Sequence, residues 1–442
     1  MKLKISMVII LFICAGVFCI AEDNFTLNQI RSFALANSKI LSKVNLSVES
    51  SILNEKAQNY ENLPSFSLGA SAGGTLWGGT VNLPDNYDAG ANISLSQKIW
   101  DGGRNSVLSS INKLSTEIAR KEALQEYFSV LDSADTAYYG VLESQAALQA
   151  ANSLLEVSKL GLAIAEIRRE SGVISIGDYL QAVAENESKK TNQSLAKRDL
   201  ALGIAKLKSI TGLKEIPGLE AINFENYEPA IQKLSKLTES EIDKIISALW
   251  ETISVNNPLL AKSSLSSKKA DKYAALASKD YFPNINLGLS TGLSYSRIYG
   301  QDTLPGRISI SGSIPLDFWV IRNNVKNKKI AQQQASLDYQ ETELSLDIEI
   351  QSGILNCIAQ ASSVISSRKA LEYAQKQLEN KMELYKLSSA SISDISDAAA
   401  LVSSNQNQLI RAQYSFLLSL SFIRSLGIFD SEQQVIELMI SG

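Results

Sequence analysis

From Ile99 to Thr211 the chain contains no proline, and apolar residues recur at spacings of three and four on both sides of one short break. Before it, Val107, Ile111, Leu114 and Ile118, then Leu124, Phe128 and Leu131, fall on one helix face; after it, Leu180, Val183, Leu195, Leu202 and Leu207 continue in looser form. Proline inside a helix removes a hydrogen bond and clashes with the preceding turn, at about 3 kcal/mol, so its absence over this span is expected of long helices. The break, Ser171-Gly172-Val173-Ile174-Ser175-Ile176-Gly177-Asp178, divides the arms of a helical hairpin. A helix from Arg104 to Ser171 reaches about 100 Å at about 1.5 Å per residue, which no compact globular domain needs. Arms of that length bury their apolar stripes laterally, in coiled-coil fashion.

The plan occurs twice. Thr26 and Gln29 form a capping box ahead of Leu27, Ile30, Leu35, Ile40 and Leu41, which predict one helix running towards Leu53 and ending before Leu63-Pro64. The period then becomes two: Phe66, Leu68, Ala70 and Ala72 alternate with small polar residues, as do Ala91, Ile93 and Leu95 beyond a Gly/Asn/Pro/Asp-rich loop, giving a strand pair. The long hairpin follows, closed by Thr211-Gly212-Leu213. In the second half Leu63-Pro64-Ser65-Phe66 is matched by Phe282-Pro283-Asn284-Ile285, Ile176-Gly177-Asp178 by Ile392-Ser393-Asp394, and Thr211-Gly212-Leu213 by Leu426-Gly427-Ile428. Ile285, Leu287, Leu289, Leu293 and Tyr295 form one alternating face and Ile308, Ile310 and Ile314 another; Pro315 is the last proline, and the rest is helical with a break near Ser388 to Ser393. The expected division is a signal peptide at 1–21, a first repeat at 22–213, a connector at 214–238, a second repeat at 239–427 and a C-terminal segment at 428–442.

Lys2 and Lys4 before the apolar run Ile5 to Ile20, with Cys19 and Ala21 ahead of Glu22, read as a secretory signal; an N-terminal membrane anchor is the alternative. Bulky Ile13 and Phe18 before Cys14 and Cys19 disfavour lipidation, and Cys357, alone after cleavage, reads as a small buried hydrophobe. Histidine is absent, which removes His triads, His metal sites and the commonest general base, and no cofactor or metal is expected. Gly69, Gly73, Gly74, Gly78 and Gly79 lack the Lys-Ser/Thr of a phosphate loop. A net charge of −4 makes the chain a poor nucleic-acid ligand.

Each alternating segment is about the 9–11 residues that a membrane β-strand needs, but four strands are too few for a barrel, which begins at about eight. Four strands from each of three chains close one; a soluble four-stranded sheet packed on helices is the alternative. Helices leaving such a barrel share its symmetry and form a tube, whereas without the strands the stripes describe a dimeric coiled coil.

The order helix, strand pair, long helix, turn, helix, with Ser94-Leu95-Ser96-Gln97-Lys98-Ile99-Trp100-Asp101-Gly102-Gly103-Arg104 at the strand-to-helix junction and Gly172 followed by Ile176-Gly177-Asp178-Tyr179-Leu180-Gln181-Ala182 at the turn, resembles the TolC-type outer-membrane efflux proteins over nearly the whole mature chain. The second junction, Asp317-Phe318-Trp319-Val320-Ile321-Arg322, lacks the paired glycines, and Ser388, Ser389 and Ala390 stand where the turn glycine is expected. The resemblance implies a mainly α, internally duplicated fold whose long hairpins form an α-barrel joined to a twelve-stranded transmembrane β-barrel, in a homotrimer set in outer-membrane lipid and extending into the periplasm. Such a protein is a passive exit duct of a tripartite efflux pump or type I secretion system, partnered by a periplasmic adaptor and, through it, an inner-membrane transporter; it performs no chemistry. The connector and the segment after Gly427 correspond to a belt around the tube. A periplasmic adaptor or helical-hairpin scaffold is the second class, lacking the strand pairs, and an enzyme using paired carboxylates the third. At the closed end, Tyr385 and Asp178 are expected to share a hydroxyl-to-carboxylate hydrogen bond worth about 1.5–3 kcal/mol. Asp394 and Asp397, three apart after the second turn, are expected to stack as acidic rings selective for cations, the alternative being a helix cap at Asp394 with Asp397 favouring the N-terminus.

Overall fold

In the computed structural model the described residues are 24–75, 86–296, 306–387 and 389–441; the expected signal peptide, most of the first hairpin loop and Ser388 lie outside them. The first half contains α1 (Leu27–Asn37), α2 (Lys39–Tyr60), β1 (Ser65–Thr75), β2 (Asn86–Trp100), α3 (Arg104–Glu170) and α4 (Ile176–Thr211). A connector with α5 (Glu228–Leu234) leads to α6 (Glu239–Asn256), α7 (Pro258–Ser278), β3 (Asn284–Ser296), β4 (Gly306–Ser313), α8 (Phe318–Lys386), α9 (Ile392–Gly427) and α10 (Glu432–Ser441). The long helices α3 and α8 have 67 and 69 residues, and α3 ends one residue short of the expected Ser171.

The entry helix of each repeat is two helices rather than the one expected. Ser38 leaves helical geometry at φ −67°, ψ 111°, and its hydroxyl accepts from Leu41 N, so the chain stops and restarts as α2. At the matching place in the second repeat, Asn257 Oδ1 accepts from Leu259 N and Leu260 N while Pro258 opens α7. The Thr26–Gln29 capping box is formed in both directions, at 2.9 and 3.3 Å.

The contacts divide the chain into two units. One comprises the described residues up to Asn37, Ala134–Asn226 and Gln375–Ile410. In it α1 lies on α4: Gly212 holds the left-handed φ of +72°, and a Cβ there would fall within 2.6 Å of the Asn37 side chain. Arg31 of α1 grips the buried Asp135 of α3 with two bonds of 2.6 and 2.7 Å. Alanines 134, 137, 165, 182, 398 and 399 are buried, small enough for close helix approach.

The other unit comprises Ser38–Ser133, Tyr227–Ala374 and the chain from Arg411. Its sheet has the order β1-β2-β3-β4, all antiparallel, with the two repeats joined at β2 and β3. Its helical core gathers Ile231, Leu234, Ile245, Leu249, Ile253, Phe416, Leu417, Leu420 and Val435, all buried. Lys233 Nζ donates to Ile440 O at 2.6 Å, so the end of the connector and the C-terminal helix meet. Cys357 is fully buried as expected, and desolvation pushes its thiol up to about 12.

Candidate functional site: the sheet face and the helix turns

Antiparallel partners share a face, so the register sorts the strand residues. Phe66, Leu68, Ala70 and Ala72 pair with Leu95, Ile93, Ala91 and Ala89, and Leu95 and Ala91 pair in turn with Leu289 and Leu293. Leu289 and Leu287 then pair with Ile308 and Ile310, completing one apolar face across four strands. This face is uncovered: Phe66 and Leu68 are each 77% exposed, Ile308 75% and Ile310 77%. The opposite face carries Ser65, Ser67, Gly69, Ser94, Asn92, Ser96, Ser290 and Ser309. Its hydroxyls bond locally, Ser67 Oγ to Ser94 Oγ at 2.6 Å and Ser65 Oγ to Ser96 O at 3.1 Å. An uncovered apolar face backed by a small polar one fits hydrocarbon on one side and water on the other.

All helix connections leave one end of this sheet. There Trp100 meets Phe282 edge to face at 6.1 Å, Tyr281 stacks on Phe318 at 6.3 Å, and Trp319 is 70% exposed. Gly102 holds φ +67° with its α-hydrogen side against Phe282, where a Cβ would fall at 2.5 Å, so the glycines of the first junction are required by turn and packing together. Amphipathic aromatic rings just below an apolar band are what a membrane interface selects. Sequence reading missed this cluster, because its members come from three separate segments.

The two turns carry the remaining candidates. After α3, Gly172 at φ +70° closes a Schellman motif, with Gly172 N donating to Arg169 O and Val173 N to Arg168 O. At the second turn Ser389 N donates to Leu384 O, the same six-to-one bond without a glycine there. Both following helices start with Ser-x-x-Asp capping boxes: Ser175 with Asp178, and Ser391 with Asp394. The helix cap weighed as the alternative at Asp394 is formed, with Ser391, whereas the same Ser-x-x-Asp spacing at Ser175 and Asp178 was not read from the sequence.

Those boxes decide where the expected site residues point. Asp178 accepts from Ser175 N at 3.2 Å and Ser175 Oγ at 2.9 Å. Tyr385 is buried elsewhere, 3% exposed, with Oη lacking a hydrogen-bond partner, so the expected Tyr385–Asp178 bond is not formed within the chain. Tyr385 is held instead by Arg168 at the end of α3, whose Nη2 donates to the Tyr385 carbonyl while its guanidinium lies 4.0 Å over the ring. Satisfying a carbonyl at a helix C-terminus with a cation is favourable twice, through the bond and through the dipole.

Asp394 and Asp397 lie on α9, but their environments differ. Asp394 accepts from Lys381 Nζ at 2.8 Å, from Ser391 N at 2.9 Å and from Ser391 Oγ at 2.7 Å. The Lys381 bond first, then those from Ser391, hold its carboxyl far below the usual range. Asp397 is exposed. Among the described residues no cluster of His, Cys, Asp or Glu suits a metal ion, and no helix is long and apolar enough to cross a membrane.

The fold is that of a channel subunit: a four-stranded sheet with an uncovered apolar face, continued by paired long helices. Comparison with known proteins agrees. The model of the outer membrane efflux protein family matches residues 30–213 and 249–426. The chain is similar to outer membrane protein TolC of Escherichia coli (strain K12), 23% identical over 381 residues that cover 82% of this chain and 74% of that protein. Among solved structures it matches the Campylobacter jejuni CmeC outer membrane channel (TM-score 0.76, 17% identity, 94% of this chain and 89% of that one). The Neisseria gonorrhoeae MtrE outer membrane channel in its open state matches similarly (TM-score 0.73, 17% identity, 91% and 88%). The chain belongs to the outer membrane efflux protein family. It is an outer-membrane efflux component, as the resemblance implied, rather than an adaptor or a scaffold without strand pairs.

Proposed function

We propose that three copies of this chain form a passive channel, with a shared twelve-stranded barrel in the outer membrane and a helical tube below it, serving as the exit duct of a tripartite efflux pump or type I secretion system. A periplasmic adaptor and, through it, an inner-membrane transporter are its partners. The observation that carries the reading is a membrane-type sheet with open edges: among the described residues β1 and β4 each pair on one side only. Helix α2 enters the edge strand β1, and α8 leaves the edge strand β4. Both expose apolar residues at intervals of seven, Leu46, Leu53 and Tyr60 on α2 and Ile330, Leu337 and Leu344 on α8. Pairing β4 of one copy with β1 of the next sets these stripes side by side. On this reading residues 1–21 are a cleaved signal, the repeats at 22–213 and 239–427 build barrel and tube, and the segments at 214–238 and 428–442 belt it.

The turns form the closed end, with Asp178 and Tyr385 in tip closure and Asp394 and Asp397 as acidic rings. Because Lys381 offsets Asp394, the ring field rests chiefly on Asp397. Purified protein should migrate as a trimer until heated and should conduct ions in planar bilayers; a monodisperse, water-soluble monomer without conductance refutes the reading. Multivalent cations on the periplasmic side should block conductance. Block that survives Asp394→Ala with Asp397→Ala removes the rings while leaving the channel.

A further inference from the structure

The charge on the helices flanking β3 and β4 is segregated along their length. Near the sheet, α7 carries Lys268, Lys269 and Lys272 against one acid, Asp271, and α8 carries Arg322, Lys326, Lys328 and Lys329 after Asp317. Further along α8 the sign reverses: Asp338, Glu341, Glu343, Asp347 and Glu349 follow with no Lys or Arg between them. In a chain of net charge −4, the turns beside the sheet are therefore a basic island. At about 1.5 Å per residue, Lys329 is roughly 17 Å from the start of α8 and Lys268 roughly 15 Å from the end of α7.

This island is not consumed by the fold. Lys268, Lys272, Arg322, Lys326 and Lys329 are exposed, and none of the seven makes a salt bridge among the described residues. Lys269 and Lys328 converge on one ring, at 5.9 and 6.0 Å from the Tyr273 centroid, which makes the α7 and α8 patches contiguous. The four on α8 also gain nothing from the helix dipole, which favours acids near an N-terminus. Lys279 Nζ lies 5.4 Å over Phe282, and Phe282 touches Trp100, so the basic island runs directly into the aromatic cluster. Moving from strands to helices, the layers are apolar, aromatic and basic.

We propose that this island is a collar that binds anionic lipid headgroups of the membrane leaflet at the helix end of the barrel. The proposal rests on the membrane reading of the sheet. Basic side chains close to an anionic surface are drawn to it, an effect that decays over a Debye length of about 8 Å at physiological ionic strength. Arg322 and Lys272, about 6 and 9 Å from the helix ends, lie close to that reach, and Lys326, Lys268 and Lys329, about 12–17 Å away, extend flexible side chains back towards the surface and come fully within it at low salt. The acidic stretch from Asp338 onward sits beyond it, where repulsion from the same surface is screened.

The test reconstitutes the full chain into vesicles in which part of the lipid is brominated, either phosphatidylcholine or phosphatidylglycerol, and reads quenching of its tryptophans. Wild type should favour the anionic over the zwitterionic lipid by about fivefold at low salt, the preference falling as salt rises. The variant Lys268→Gln, Lys272→Gln, Lys326→Gln and Lys329→Gln should retain quenching by brominated phosphatidylcholine and show a preference near one. Equal preference in wild type and variant overturns the collar while sparing the membrane reading. Absence of quenching by either lipid overturns both. Unchanged lipid preference accompanied by loss of co-sedimentation with isolated cell-wall sacculi, or by a shift in ion selectivity, assigns the island to cell wall or lumen and overturns the proposal.

Discussion

Asp394 carries three hydrogen bonds that only its ionised form can accept together, which makes it the turn residue most sensitive to acid. Its folded-state pKa lies below the ordinary 3.8, so its contribution is fully present above that value and is lost as pH falls through the lower folded value. Asp394→Asn should therefore lower the melting temperature at pH 7, and the difference from wild type should shrink below about pH 4; a pH-independent difference would point to packing alone. The two residues of the other expected pair behave differently. Tyr385 Oη is buried without a partner, so Tyr385→Phe removes a desolvated hydroxyl and should leave stability within about 0.5 kcal/mol of wild type or raise it. Arg168→Met, which removes the cation over the ring and at the carbonyl, should destabilise the turn and increase leakage of large antibiotics; equal leakage in the two variants would deny Arg168 the holding role. Much of this was legible in part. The sequence placed both aspartates just after turns, and the Ser-x-x-Asp spacing was present to be read as a cap. What pairwise spacing does not carry is that Arg168, on another helix, reaches Tyr385 first.

Helices and strands were the readable level, and the misses have local causes. Apolar periodicity registers which face is buried, and that face continues through Ser38, so the α1–α2 break is invisible to it; only the Ser38 cap, with Asn257-Pro258 in the other repeat, marks the stop. Strand alternation located all four strands, but β1 and β2 extend to 11 and 15 residues because backbone pairing continues past the apolar run. Helix ends show how a duplication drifts. Gly212 takes the left-handed conformation after α4, whereas after α9 that conformation falls on Ile428 at φ 54°. Gly427 is needed for a different reason, since a Cβ there would lie 2.2 Å from the Phe429 ring. A β-branched residue in the left-handed region is strained by about 1–2 kcal/mol. Ile428→Gly should therefore raise stability by up to about 1 kcal/mol once the added freedom of the unfolded chain is counted, measured by denaturant midpoint. Gly427→Ala should destabilise, and a stabilising Gly427→Ala would mean that the ring is not packed against it.

For the whole molecule the open question is what covers the exposed stripes, and the duplication supplies the answer's form. Edge strands with unpaired backbone are a liability in any sheet, and inside a bilayer every such group must be bonded. In the proposed assembly further copies satisfy them through a heterologous contact, β4 against β1, and a rotation of one third of a turn between copies closes three of them into a ring instead of an open filament. The helices inherit this geometry. Because α2 runs towards the sheet and α8 away from it, the stripes of neighbouring copies would meet antiparallel in that ring, with Leu46, about 21 Å from the sheet end of α2, level with Ile330, about 18 Å from that of α8. Each side chain so buried contributes about 1.5–3 kcal/mol, and a charge in its place adds a desolvation penalty. Leu46→Glu and Ile330→Lys should each lower the temperature at which the proposed trimer dissociates on heating, while circular dichroism shows unchanged helix content. Combining them should restore part of the loss, since the new charges face each other across three equivalent interfaces. Unaltered heat resistance in both single variants would mean that the stripes face solvent or another partner, and no recovery in the double variant would mean that they are buried but not against one another.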